Sequence, residues 1–574
     1  MWRSGLVAAT IPGRAPVRTR DPCQTCLRLI NFRVAGANMK LVVTGVGSNG
    51  PSRVNAKVKT ITRRWWESKW YALALILLSA VPLLWPATPP FPDVPGHMGR
   101  YAIELYLAQS PSLQRFFQFH WALIGNLGVD LLIIPGAKLF GLELAVKLIV
   151  IAIPVLTTVG LFRISEEIHG RYSPATAFAI PFVYGFPLLF GFINFALSLG
   201  FALLGFAYWL KLTRQERYLF RSIIFVPMSC LIWLTHVFGW GILGLLVFSS
   251  ELGRQRGAGS SLLSQSWKAS RQVLPLAVPL ILMLLWRNNV GASVTGGFLD
   301  PISKPYGLVG ALRDRWLVWD CMALAVVVVV FWAVFRQKDF GFSALLAIPA
   351  ATLGATFILM PGQVFGSAYA DARLAPTAIM IGLLSIRGAK GNLAHDDKLA
   401  TCALIFAILR LTGNTLSFAI ADTEQKERLK SLDQIVGGAR VLSLSGIACP
   451  DEWEMPRHFH LGAFVIVRRQ GFSNDEWQAN GAQLMRVNYS AARPFEADPS
   501  TLVYKTECLA KAQSRRPATK LDERTLDAAL REFPRAAFNY VWILKPPETF
   551  EPPSDLRLIR KGRDSFLYEV RQQI

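Results

Sequence analysis

The stretch PFPDVPGHMGR, residues 90–100, gathers Asp93, His97 and Arg100 directly after the first strongly apolar run of the chain. Asp93 and His97 are four apart, so on a helical turn they share a face. There they could hold a divalent cation, or act as a general base and its orienting partner. A purely structural alternative is an N-cap: Asp93 opens a helix, Pro95 falls in its first turn, and the carboxylate accepts backbone N–H bonds. The two readings are compatible, because a carboxylate held at a helix N-terminus stays ionised at neutral pH. Arg100 joins the group as a substrate-binding candidate.

Other residues with chemistry to offer lie far away in sequence. His236 sits inside the apolar CLIWLTHVFGWGILG, where an ionisable side chain is costly unless it faces a wet cavity or a partner; it is the third catalytic candidate. Asn194 in GFINFALSLG is a substrate-binding candidate that could instead cap a helix. In GSAYADARL, Arg373 either snorkels to headgroups or binds a phosphate, and Asp371 either joins it or neutralises it. Lys304 is a further cation for a departing phosphate. Asn126 and Asp130 in GNLGVD are explained by a turn leading into an amphipathic helix. Cys23 and Cys26 have no second pair nearby to complete a metal site, and Cys449 and Cys508 could pair in an oxidising space.

What must position these residues is a membrane-spanning body. Of 574 residues, 52% are hydrophobic and only 17% charged, too apolar for an ordinary soluble protein. Runs such as AVKLIVIAIPVLTTVGLF and MALAVVVVVFWAVF are long enough to cross about 30 Å of hydrocarbon. The net charge of +23 clusters between such runs, which makes it a topology signal and argues against a nucleic-acid partner. The expected fold is a polytopic α-helical membrane protein with about eleven transmembrane helices, near 70–88, 143–162, 174–190, 194–211, 220–234, 237–250, 272–287, 316–335, 341–360, 373–387 and 398–417. Residues 1–66 read as a disordered basic cytoplasmic leader, residues 67–420 as the transmembrane domain with an outer loop of interfacial helices over 89–142, and residues 421–574 as an extracytoplasmic α/β domain. With the leader inside, the inner loops hold the larger share of Lys and Arg, and every candidate residue above falls on the outer side.

The motifs PDVPGHMGR, GNLGVD, GFINFALSLG, THVFGWG and GSAYADARL, together with this layout, resemble a bacterial branch of the GT-C superfamily of membrane glycosyltransferases. The resemblance covers roughly residues 65–574. It implies that Asp93, the acidic residue of the first outer loop, is the catalytic or metal-binding group, and that the donor is a polyprenyl-phosphate sugar. Members with a paired Asp-Glu at this point differ from the present chain, where Val94 follows Asp93. The resemblance and the reading of the residues together give the expectation of a glycosyltransferase of the inner (cytoplasmic) membrane acting on an envelope acceptor, with Asp93, His97 and His236 catalytic, and Arg100, Asn194, Lys304, Asp371 and Arg373 binding substrate. A divalent metal ion on Asp93 and His97 is the one cofactor to look for. A transporter or lipid flippase, or a non-catalytic envelope-assembly protein, is the alternative; a transporter would show internal repeats and ionisable residues near the bilayer midplane, and neither is evident.

Overall fold

The long apolar runs form helices, because a backbone in hydrocarbon has to satisfy its polar groups within its own segment. The computed structural model describes residues 64–574 except 257, 258, 260, 288–294, 365, 366, 390, 391, 448, 450, 451, 479–482, 510–523 and 572–574. The expected leader up to residue 63 lies outside the described residues. Residues 64–66, assigned above to the leader, belong to the folded body. Arg64 Nη1 donates to Asp397 Oδ2 at 2.9 Å, and the buried Trp66 donates from Nε1 to Asp397 Oδ1 at 3.0 Å.

Among the described residues, six helices are long and apolar enough to cross a membrane: Leu142–His169, Ile193–Arg214, Tyr218–Thr235, Val237–Arg254, Leu317–Arg336 and Leu393–Gln434. A seventh span is possible where Leu262–Leu276 and Pro279–Leu285 meet at a 65° bend. Of the eleven expected spans, six are therefore shown at full length. The other four apolar stretches, Lys69–Leu83, Thr176–Phe190, Ala344–Leu359 and Leu374–Leu384, are helical but shorter. Hydropathy alone does not register the breakers. Pro82 falls in the 3-10 turn that follows Lys69–Leu78, and Thr176–Tyr184 is a buried 3-10 segment containing Pro181. On Leu317–Arg336, Val318, Val328, Trp332 and Phe335 are all more than half exposed, the apolar outer face that a lipid solvent requires.

The segment after the first apolar helix is held between the membrane body and the C-terminal region. Its helix Val94–Tyr106 is buried over most of its length and packs against Phe464–Arg469 of the C-terminal region. Farther along, the strand Phe117–Phe119 pairs antiparallel with Met485–Val487, Gln118 standing opposite Arg486.

The C-terminal region is a mixed sheet of seven strands among the described residues. Arg440–Ile447 runs parallel to Tyr540–Leu544 on one side and to Leu502–Tyr504 and Phe472–Ser473 on the other, while Ser565–Val570 and Leu556–Lys561 complete an antiparallel edge. The 37-residue helix Leu393–Leu429 leads into it without a break, so the boundary expected after residue 420 falls inside a helix. Cys449 and Cys508 are joined by a disulfide.

The strand pairing between loop and sheet domain yields a direct test. Gln118 and Arg486 are exposed and directly opposed, so Gln118→Cys with Arg486→Cys places two Cα atoms about 5.5 Å apart, within disulfide reach. Mild oxidation of the intact protein should cross-link this pair nearly completely, read as a mobility shift after cleavage between the two positions. Failure to cross-link would show that the loop is not docked on the C-terminal domain.

Candidate active site

Asp93 occupies the N-cap position of Val94–Tyr106, but its side chain makes no capping hydrogen bond. The capping alternative is thereby set aside. The carboxylate keeps some accessible surface while protein surrounds it, and its position depends on one glycine: at Gly191, with φ +115°, a Cβ would come within 2.8 Å of Asp93 Cβ. The backbone N–H of Asp93 also donates to Phe190 O at 3.0 Å. Burial raises the Asp93 carboxyl to about 7, against the pull of the nearby His460 and Arg373 cations and with a smaller push from Asp498.

One turn on, His97 stacks edge-on against Trp477, ring centres 5.2 Å apart, and its buried Nδ1 has no hydrogen-bond partner. Burial, with Arg100 and His460 nearby, holds the imidazole well below its ordinary range, so it is neutral. The helix face here is made of Gly96 and Gly99. A Cβ on Gly96 would stand 2.3 Å from Trp477, and one on Gly99 2.0 Å from Glu476 Oε1. These glycines let the residues after Phe472–Ser473, at the C-terminal end of a parallel strand, close over the helix. Clefts at such strand ends are where α/β sheets commonly place ligands.

Three groups at this closure, His460, Asp475 and Glu476, were missed in the sequence. His460 shares Trp477 with His97, at 4.9 Å between ring centres, and its Nδ1 hydrogen-bonds the Asp475 carbonyl oxygen at 2.9 Å. Glu476 is fully buried with neither carboxyl oxygen hydrogen-bonded. Burial, reinforced by Asp475 and Asp498 and opposed by Arg100, pushes it well above the carboxylate range.

Arg100 and Asn194 turn inward. The Arg100 guanidinium donates to Asp130 through Nη1 at 2.5 Å and Nη2 at 3.3 Å, both residues buried. Asn194 does not cap its own helix. It accepts from Val129 N at 2.6 Å and donates to Asp130 Oδ2 at 3.2 Å and Asn126 O at 3.1 Å. Both therefore fix the loop on the membrane body, with Arg100 Nε the one buried donor of the pair left without a partner.

Lys304 and Asp371 neutralise each other. Lys304 Nζ donates to Asp371 Oδ2 at 2.6 Å, to Phe357 O at 3.0 Å and to Met360 O. Arg373 has no such carboxylate. It donates through Nη2 to Ser367 Oγ at 2.9 Å and Ala368 O at 3.2 Å, lies 4.2 Å over the Phe192 ring, and has a buried Nε without a partner. Its Nη1 stands 3.4 Å from His236 Nε2. His236 Nδ1 accepts from Phe238 N–H at 3.1 Å, so the neutral ring carries its proton on Nε2. Two donors thus face one another, an arrangement that suits an anion between or beside them.

The chain therefore brings Asp93, His97, Arg373 and His236 into one neighbourhood and commits Arg100, Asn194, Lys304 and Asp371 to structural contacts. Among the described residues, no group of three or more His, Cys, Asp or Glu is placed to hold a metal ion, so these residues offer no all-protein metal cage.

Fold and site define a polytopic helical membrane protein whose sheet domain closes over a polar site at the end of the first apolar helix. No family model and no curated protein matches the sequence. Among solved structures, the chain is similar to ArnT from Cupriavidus metallidurans bound to undecaprenyl phosphate, at 12% identity and a TM-score of 0.39, covering 87% of this chain and 96% of that one. It is likewise similar to the apo state of ArnT from the same organism, at 13% identity and a TM-score of 0.43, covering 87% and 97%.

The closure over Gly96 can be checked by overpacking. Gly96→Ala forces its methyl into Trp477 and should destabilise the protein by about 1–3 kcal/mol, the usual cost of overpacking. Gly136→Ala meets only Ala145, at 3.2 Å, and should be close to neutral. Thermal unfolding of both variants in detergent separates them; equal midpoints would mean that Trp477 does not cover this helix.

Proposed function

We propose that this protein is a membrane-embedded glycosyltransferase that moves a sugar from a polyprenyl-phosphate donor to an envelope acceptor on the extracytoplasmic side of the inner membrane. The observation that carries the reading is one accessible carboxylate, Asp93, beside the donor pair formed by Arg373 and His236. A sugar phosphate held by that pair and a hydroxyl held at Asp93 are the two reactants of glycosyl transfer.

The acceptor O–H gives its proton to Asp93 while its oxygen bonds to C1 of the sugar. The bond between C1 and the phosphate oxygen breaks, and its electron pair leaves with the phosphate. Arg373 and the His236 Nε2–H stabilise the charge that develops there. The donor's lipid tail needs hydrocarbon beside the phosphate. The side chains around Arg373 on the membrane body are mainly apolar, Ile153, Phe182, Leu199 and Met380 among them. The extracytoplasmic placement is supported by the positive-inside asymmetry and by the Cys449–Cys508 disulfide, which suits an oxidising compartment.

Purified protein in lipid, given a panel of polyprenyl-phosphate sugars and envelope glycolipids, should release polyprenyl phosphate. Because Asp93 caps nothing, both Asp93→Asn and Asp93→Ala should insert and fold normally while transfer falls by about two to four orders of magnitude, the scale for loss of a positioned base. A folded Asp93→Asn protein with full transfer would remove Asp93 from the chemistry.

The reading also fixes the sign of the pH dependence. A base works only when deprotonated, and burial raises Asp93 to about 7. Transfer should be steady above that value and fall about tenfold per pH unit below it. An acid limb near the ordinary carboxylate value would contradict the role.

A further inference from the structure

We propose that His460 of the C-terminal domain is the proton-accepting partner of Asp93, so that this domain supplies part of the reaction centre. The inference rests on the glycosyltransferase reading for its chemistry and on geometry for the pairing.

His460 is the N-cap of the turn Leu461–Ala463 and adopts φ +57° and ψ 13°, a left-handed conformation uncommon for a residue with a side chain. That backbone aims the ring back at the loop helix. A Cβ on Gly96 would lie 3.4 Å from His460 Cγ, so the imidazole rests on the first turn of the helix that Asp93 opens. Nδ1–H donates to the Asp475 carbonyl oxygen, which leaves Nε2 of the neutral ring as an acceptor. Asp475 is itself fixed, its Oδ2 accepting from Ser473 Oγ at 2.9 Å and passing within 1.8 Å of where a Cβ on Gly462 would stand. A carbonyl on one imidazole nitrogen and an acceptor position on the other, in a ring set against the helix turn that Asp93 opens, orient a histidine for proton transfer.

The charged neighbours agree with this role. His460 faces Asp93 and His97 from the loop helix and Asp475 and Asp498 from its own domain, while Arg373 acts on Asp93 from the membrane body. Burial disfavours the imidazolium, but Asp498, Asp93 and Asp475 together outweigh it and raise His460 above its ordinary range. His97 moves the opposite way and is the poorer acceptor. In the reaction, Asp93 takes the acceptor proton and passes it to His460 Nε2. The carboxylate is restored, and the imidazolium, stabilised by the three carboxylates, loses the proton to water before the next turnover.

His460→Gly and His460→Asn both suit the left-handed backbone, so they test the ring without straining the turn. In the full chain reconstituted in lipid, His460→Gly should lower transfer about 100-fold, and millimolar imidazole should recover at least about tenfold of that loss, on the scale of one acid–base group. In the pH range where the imidazole is protonated it favours ionised Asp93, so in His460→Asn the acid limb should move to higher pH. A readout independent of turnover accompanies these: 13C-histidine NMR titration, with the His460 signal assigned by its loss in His460→Asn. The His460 pKa should fall in Asp93→Asn. Folded variants with no imidazole recovery and an unmoved limb, or a His460 titration indifferent to Asp93→Asn, would overturn the pairing. If no donor sugar is turned over but Asp93→Asn still shifts the His460 titration, the pairing stands and the glycosyltransferase reading is what fails.

Discussion

Arg100 and Asp130 meet with both charges withdrawn from water, and most of what surrounds the site depends on that pair. Burying two ions is expensive, and the attraction between them offsets the cost only when the geometry is good and the remaining lone pairs are satisfied. The first condition is met and the second in large part, since Arg100 Nε alone is left without a partner. The contact is two-pronged, and Asn194 donates to the second carboxylate oxygen. Removing either partner would leave an uncompensated buried charge, a loss on the order of 3–5 kcal/mol. Because Arg100 belongs to Val94–Tyr106, Asp130 to Gly128–Phe140 and Asn194 to Ile193–Arg214, one network fixes the loop helix to the membrane body.

Once that helix is fixed, its glycine face becomes a seat for the sheet domain, and further polar ties hold the domain there. Arg457 is paired with Asp314, Arg428 with Asp564, and Arg313 donates to carbonyl oxygens of residues 452–454. These ties span segments more than 100 residues apart, and the strand Phe117–Phe119 adds backbone hydrogen bonding of the same reach. A domain anchored at so many points limits the water that reaches Asp93, as does the packing of Gly191 against it. The raised carboxyl is therefore a consequence of tertiary burial, not of the sequence around Asp93.

That dependence explains what could and could not be read from residues alone. Apolar runs announce helices because the bilayer is a uniform solvent, and Asp93 stands out because it directly follows one. The proline-broken 3-10 segment Thr176–Tyr184 has the same hydropathy as a span, so its shortness was hidden. Arg100 looked like a substrate ligand because its partner, thirty residues on in GNLGVD, was explained by a turn and an amphipathic helix. Lys304 and Asp371 were separate candidates with nothing in their spacing to announce an ion pair. His460, Asp475 and Glu476 lie between strand-like pieces in sequence that shows no helical or strand periodicity. The only local signals were the polar density of HFHLG and SNDEW, and their meaning arises when the sheet domain meets the loop helix.

The electrostatic division between the cations bears on how such a site would respond to its substrate. Lys304 is spent on Asp371, whereas the charge of Arg373 is met at close range only by neutral oxygens and aromatic faces, so it remains available to groups farther off. One of those is Asp93, whose ionised form Arg373 favours. On the proposed reaction, an arriving phosphate neutralises Arg373 and adds negative charge of its own. Both effects disfavour the ionised carboxylate in a poorly solvated site and make Asp93 a stronger base. Proton affinity would then be highest when the donor is seated, and on the proposed pairing the imidazole of His460, which the C-terminal domain supplies, is where that proton goes next.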